Sequence, residues 1–374
     1  MKYYILLILT VLLLACAKSN KAIVKTPTTA NTPKTQSAKK PKNIIFLIGD
    51  GMGLTQITAG MYANNNFLNL ERAQYIGLHK CHAADTLITD SAAGATAFAC
   101  GKKTYNGAIG VGTNKKPLKT IIEYAEEANI NTGLVATSTI VHATPASFIA
   151  HEKKRNRYEE IAADFLDVDV DIVIGGGKKY FVNRKDGKNL INDLIKKGYK
   201  YTDDVSDINI NEEKYYCLPA MDHFQSLEAG RDNFLIKATD KAINFLHNKE
   251  EPFFLMIESS QIDWGGHANL SNYIITEMIE FDKTIKMAFD YADKDGETLV
   301  IVTADHETGG YAINGGYTNG DTLITAFTSK YHTADMIPVF SYGPGAENFA
   351  GIYENTEIFS KMMNALNLKK NVED

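Results

Sequence analysis

Short apolar runs that alternate with helix-period segments constrain this chain more than any other feature. Residues 43–48, 132–137, 171–174, 253–257, 298–303 and 337–342 each fit one buried strand. Between them, Pro117 opens a segment with Leu118, Ile121, Ile122 and Ala125 on one face, and Ile274, Met278, Phe281, Ile285 and Ala288 line a longer helix. This alternation predicts an α/β fold: a three-layer sandwich with a mainly parallel central sheet and helices on both faces. A chain of 374 residues, 44% of them apolar, can bury a core of that size.

In open α/β sheets, ligands gather beyond the carboxyl ends of the strands. Several of the predicted strands end in chemistry of that kind. Asp50 follows the first run within Gly49-Asp50-Gly51-Met52-Gly53, Glu258 follows residues 253–257, and Asp305-His306 follow residues 298–303. Asp263, His267 and His332 add oxygen and nitrogen donors, enough in all for several metal sites. Each has a plainer alternative. Asp50 would serve as a cap in a glycine turn, and Asp263 with His267 as an i,i+4 pair whose Gly265-Gly266 weakens the case for a helix. His332 would serve as a lone polar residue. Asp90-Ser91 stands where an apolar run stops and a small-residue helix begins. There a hydroxyl faces a cleft, and the first-turn N–H groups can receive a phosphate oxygen. By itself that pair reads as an ordinary helix cap; the surrounding donors reverse the reading.

Together these residues resemble the alkaline phosphatase family over residues 42–346, in order as well as in type. The resemblance implies that Ser91, within Thr89-Asp90-Ser91-Ala92-Ala93-Gly94, is the nucleophile and forms a phosphoseryl intermediate. It implies two zinc ions and one magnesium. Asp263, His267 and His332 match the ligands of the first zinc. Asp50, Asp305 and His306 match those of the second, which would also meet Ser91. Asp50, Thr144 and Glu258 match those of the third ion. Arg155, four residues after His151, matches the phosphate clamp, with Arg157 as a nearby competitor. A planar guanidinium holds two phosphate oxygens at once, which lysine cannot. Asp90, His142 and Trp264 are placed beside the ligands or the substrate. The implied activity is hydrolysis of small phosphate monoesters to alcohol and phosphate, rising toward alkaline pH, and the resemblance leaves a homodimer open.

Two positions depart from the best-known bacterial pattern. His142 stands by the third metal where those members carry aspartate, and Trp264 follows Asp263 where lysine or histidine contacts phosphate through water. Indole donates one hydrogen bond and carries no charge, so looser phosphate retention is expected. The stretch from His306 to His332 is too short for a large loop insertion and predicts an open cleft. Competing readings are a phosphodiesterase of the same superfamily and a non-catalytic metal- or phosphate-binding surface lipoprotein. A sulfatase is discounted, because Cys217-Leu218-Pro219-Ala220-Met221 lacks the arginine such a motif needs.

At the N-terminus, Met1-Lys2 leads into an apolar run too short for a mature membrane span. The run ends Leu13-Leu14-Ala15-Cys16, which resembles a bacterial lipobox with Cys16 lipidated. Residues 1–15 are therefore expected to be a signal peptide and 16–42 a flexible tether poor in large apolar residues. Residues 43–374 are read as a single catalytic domain, with 177–232 as a variable surface region. The expected location is outside the cytoplasm, periplasmic or at the cell surface, lipid-anchored to a bacterial membrane. Cys81, Cys100 and Cys217 show no paired spacing and predict no disulfide. A net charge of -6, with no basic block after the tether, gives no reason to expect nucleic acid as a partner.

Overall fold

The computed structural model describes residues 40–318, 320 and 322–369; the expected signal peptide, Cys16 and the expected tether up to residue 39 lie outside the described residues. In chain order the strands are β1 (Asn43–Gly49), β2 (Tyr75–Lys80), β3 (Asn131–Thr139), β4 (Ile172–Gly176), β5 (Lys200–Thr202), β6 (Tyr215–Ala220) and β7 (Phe253–Ser259). They continue with β8 (Thr298–Thr303), β9 (Glu307–Thr308), β10 (Tyr311–Gly316), β11 (Leu323–Phe327), β12 (His332–Thr333), β13 (Ile337–Tyr342) and β14 (Gly351–Glu354). One ten-stranded sheet runs β14-β2-β13-β8-β1-β7-β3-β4-β6-β5. Strand β13 is antiparallel to both neighbours, and the other pairings in the sheet are parallel.

Strand β1 shows why the chain folds this way. All seven of its residues are buried, and its side chains alternate between two cores. Ile44, Phe46 and Ile48 join the core that holds Phe98, Ile121, Ile161 and Phe359. Ile45 and Leu47 join the core that holds Ala59, Leu246, Met278 and Phe281. Both sheet faces are covered by helices, the arrangement an apolar run without polar alternation requires. The helix Ser271–Asp295 buries Ile274, Met278, Phe281, Ile285 and Ala288, the stripe read from the sequence.

Two local expectations are corrected. Pro117 does not open a helix; it pairs with Val111 in an isolated bridge. The helix spans Ile121–Glu127, because Thr120 and Glu123 form a reciprocal cap there. The glycine pair Gly265-Gly266 does not break its segment, which is helical over Gln261–Ala268. A Cβ on Gly265 would lie 2.8 Å from the Ile274 nitrogen and one on Gly266 2.7 Å from the Thr308 carbonyl oxygen, so the glycines allow close packing. Cys81, Cys100 and Cys217 are buried and free. Residues 200–220 supply β5 and β6 at one sheet edge. Pro41 is buried and the Lys42 N–H donates to the Glu297 carbonyl (2.7 Å), so the chain is held against the fold from there on. No helix among the described residues is long and apolar enough to cross a membrane.

Candidate active site

Four adjacent strands, β8, β1, β7 and β3, bring the acidic groups together. Ile48 registers with Thr303 on one side and Glu258 on the other. Neighbouring strands lie about 4.8 Å apart. The residues at their carboxyl ends, Asp305, Asp50 and Glu258, with Thr144 on the short helix Ala143–Ala146 after β3, therefore converge. Gly51 completes the turn after β1 at φ +73°; a Cβ there would lie 2.6 Å from the Asp263 Cα, so glycine lets this turn meet the helix that carries Asp263 and His267.

Three donor groups result, each with its ligand atoms within 4.8 Å of one another: Asp263, His267 and His332; Asp50, Asp263 and His306; Asp50, His142 and Glu258. Asp263 belongs to the first two and Asp50 to the last two. Asp305 Oδ2 lies 3.1 Å from His306 Nε2, and the Thr144 hydroxyl lies 3.4 Å from Asp50 Oδ2. In the first group, His267 Nδ1 lies 2.7 Å from the Lys330 carbonyl and His332 Nδ1 2.7 Å from the Thr89 carbonyl. Donating to those carbonyls leaves the two Nε2 lone pairs facing each other at 3.2 Å. A cation resolves that repulsion.

The electrostatics are those of a cation cage. Asp50 is held well above the ordinary carboxylate range, chiefly by burial and then by Asp305, Asp263 and Glu258. Burial lifts Glu258 to about 7 and raises Asp263. Asp305, although buried, is pulled down by His306 beside it. Burial opposes charge on His306, but Asp305 and Asp263 outweigh it and the imidazole is raised. Burial, followed by His306, pushes His332 down to about 2. Asp50 Oδ1 and Glu258 Oε1 are buried without a hydrogen-bond partner. Buried carboxylates with unsatisfied oxygens are costly unless a cation compensates them, so these residues fit divalent ions.

Ser91 begins the helix Ser91–Cys100, with all ten of its residues buried; small side chains let it pack closely under the cleft. Asp90 caps that helix, accepting from the Ala93 N–H (3.0 Å) through Oδ1. Its Oδ2 accepts from Arg155 Nη1 (3.0 Å), and Arg155 Nη2 lies 3.3 Å from His142 Nε2. Arg157 instead pairs with Glu152 and Glu160. The Ser91 hydroxyl lies 3.4 Å from His306 Nε2. Ser91, Arg155, Asp263, Trp264, His267 and His332 all line one cavity of about 250 Å³.

Sequence reasoning missed several partners. The Thr308 hydroxyl bonds Asp263 Oδ1 (2.5 Å) and lies 3.2 Å from His306 Nδ1. Ser138 and Ser260 both donate to Glu258 Oε2. Tyr331 lines the cavity and stacks on His332, centroids 4.3 Å apart. The His223 ring meets Trp264 at 4.9 Å and His142 at 5.4 Å, and its Nδ1 accepts from the Thr139 N–H (3.1 Å). Only adjacency to known site residues could have flagged Tyr331 and Ser260; the other contacts are tertiary.

A buried serine at a helix start, facing carboxylates and imidazoles that share ligand atoms, defines a metal-dependent hydrolase on a mainly parallel α/β sheet. The sequence model of the alkaline phosphatase family matches residues 41–328 and 320–368, and the chain belongs to that family: it is a phosphomonoester hydrolase. Among its relatives, alkaline phosphatase 3 of Bacillus subtilis is 34% identical, over 89% of this chain and 90% of that protein. The alkaline phosphatase of Escherichia coli is 30% identical, over 89% of this chain and 88% of that protein. The solved alkaline phosphatase from the Antarctic bacterium TAB5 is 45% identical with a TM-score of 0.86, covering 89% of this chain and all of that one. Variants of that enzyme with one histidine replaced by aspartate or glutamate are described with magnesium bound in the M3 site.

Proposed function

We propose that the chain hydrolyses phosphate monoesters in two in-line displacements through a phosphoseryl intermediate at Ser91. Asp263, His267 and His332 would hold one zinc, Asp50, Asp305 and His306 a second, and Asp50, Thr144 and Glu258 a magnesium with His142 beside it. When bound, such ions lower the pKa of the serine hydroxyl and of water and neutralise charge on the leaving oxygen. Ser91 Oγ forms a bond to phosphorus as the ester P–O bond breaks with its electron pair to the departing alcohol. Water then attacks the phosphoserine, releases phosphate and restores the hydroxyl, so configuration at phosphorus is retained overall. Arg155, steadied by Asp90, holds two equatorial oxygens, and the helix N-terminus at Ser91 favours the negative charge. Monoesters suit this clamp better than diesters because their dianionic phosphoryl group gains more from a guanidinium.

The observation that carries this reading is the Ser91 hydroxyl 3.4 Å from His306 Nε2. Its test compares p-nitrophenyl phosphate with bis-p-nitrophenyl phosphate, in wild type and Ser91→Ala, with metal content measured on the same preparations. Monoester preference, loss of turnover in Ser91→Ala and at least two divalent ions per chain are expected. Activity surviving in Ser91→Ala would reassign the nucleophile. We further propose export with lipid attachment at Cys16, tested by incorporation of labelled fatty acid in wild type and Cys16→Ser.

A further inference from the structure

A second cavity of about 440 Å³ shares one wall with the catalytic cleft, and that wall is Arg155. Lys115, Lys153 and Lys154 also line it, and no carboxylate does. All three lysines are exposed, and none of them forms an ion pair among the described residues. In a chain with 45 acidic and 39 basic residues, three uncompensated ammonium groups around one hollow run against the composition.

The hollow is also built rather than incidental. Ile109 and Glu152 exchange both backbone hydrogen bonds, the Arg155 N–H donates to the Gly107 carbonyl (2.8 Å), and the Tyr105 hydroxyl donates to the Lys153 carbonyl (3.0 Å). These bonds stitch the segment that follows Ser91's helix to the segment that carries Arg155. Lys115 sits at φ +62° in a turn closed by its own N–H on the Gly112 carbonyl (2.8 Å). A lysine held in the left-handed region is an uncommon choice for a turn that a glycine would make without strain.

We infer that this cavity is a subsite for a second phosphate, so that the enzyme favours phosphorylated substrates whose leaving group is itself a phosphate or carries one. The inference rests on the proposed roles of Ser91 and Arg155. With pyrophosphate, Ser91 Oγ bonds to the near phosphorus while the bridging P–O bond breaks. The electron pair goes to the departing phosphate, whose charge faces Lys115, Lys153 and Lys154. Lysine suits this task, as a flexible point charge for an anion whose position varies with the substrate.

The test measures kcat/KM for pyrophosphate and for p-nitrophenyl phosphate at fixed free magnesium. The proteins are wild type, the triple variant Lys115→Gln, Lys153→Gln, Lys154→Gln and the corresponding triple arginine variant. Three exposed charge contacts, each modest, together predict that the glutamine triple lowers the pyrophosphate to p-nitrophenyl phosphate ratio by about tenfold, and that added salt erodes the wild-type ratio. The arginine triple should keep the ratio. An unchanged ratio in the glutamine triple overturns the subsite. A matched loss of inhibition by inorganic phosphate, with the ratio constant, overturns it in favour of a product-exit site. Turnover persisting in Ser91→Ala would instead strike the nucleophile assignment, a separate failure.

Discussion

Asp90 joins Ser91's helix to Arg155: one carboxylate oxygen caps the helix through the Ala93 N–H and the other receives the Arg155 guanidinium, both at 3.0 Å. Nucleophile and clamp are thus referenced to the same side chain. Asp90→Ala is therefore expected to weaken phosphate inhibition and raise KM together, as Arg155 loses its anchor. The measurement is product inhibition by phosphate, and an unaltered inhibition constant would show that Asp90 serves the helix alone.

Ser91→Ala should lower monoester turnover on the order of 10⁴-fold or more, because removal of a nucleophile leaves only binding and charge stabilisation. Acid quench with labelled substrate should trap phosphate on wild-type protein and none on the variant.

Arg155→Ala should reduce kcat/KM by roughly 10–100-fold, the scale of charge-assisted hydrogen bonds to a dianion. Arg157→Ala, which loses only surface pairs with Glu152 and Glu160, should change activity little. Steady-state kinetics on the two variants separate the roles, and equal losses would refute the assignment.

In metal-free protein, Glu258 should contribute stability that falls as pH rises. Burial holds Glu258 up to about 7, so the metal-free folded state keeps a proton that the unfolded chain releases near pH 4.3. Its contribution is lost from about pH 4.5 to 7. His332 and His142, kept neutral by burial, and at more acid pH Asp305, held low, add the opposite slope, so the Glu258 part is read as the difference from Glu258→Gln. Thermal unfolding of chelator-treated wild type should lose ground to Glu258→Gln between about pH 4.5 and 7, and excess zinc with magnesium should abolish that pH dependence. A wild-type to Glu258→Gln difference that does not change with pH in the absence of metal would contradict it.

His142→Asp should tighten magnesium binding and increase activation by magnesium. The His142 ring is held well below its ordinary pKa by burial and then by Arg155, so it offers a neutral donor beside Asp50 and Glu258 where aspartate would add a charge. Equilibrium dialysis with magnesium distinguishes the two, and equal affinities would count against the idea.

Arg231 is buried between Glu277 and Glu280, bonded to both. Arg231→Met strands two buried acids and should cost about 3–5 kcal/mol of stability. Replacing all three by apolar residues should recover most of it. Urea unfolding of the two variants makes the comparison.

The sequence by itself determined the central strands, because runs such as β1 and β8 are apolar throughout and fit only a sheet covered on both faces. It also placed Asp50, Glu258 and Asp305 at strand ends, since the position of a carboxylate along the chain fixes its end of the sheet. The strands toward the sheet edges were not legible. Half of the side chains in Tyr75–Lys80, one strand in from the edge strand β14, are exposed, and a strand exposed to that extent carries no apolar run to read. Tertiary structure alone decided that Asp263, like Asp50, is shared between two donor groups, where the resemblance implied sharing for Asp50 only, and that Thr308, Ser138 and Ser260 steady them. It also decided that Arg155 turns inward to Asp90 while Arg157 turns outward. Those relations arise between segments far apart in the chain, where strand order and the glycine contacts at Gly51, Gly265 and Gly266 set the distances; local sequence pattern holds no record of them.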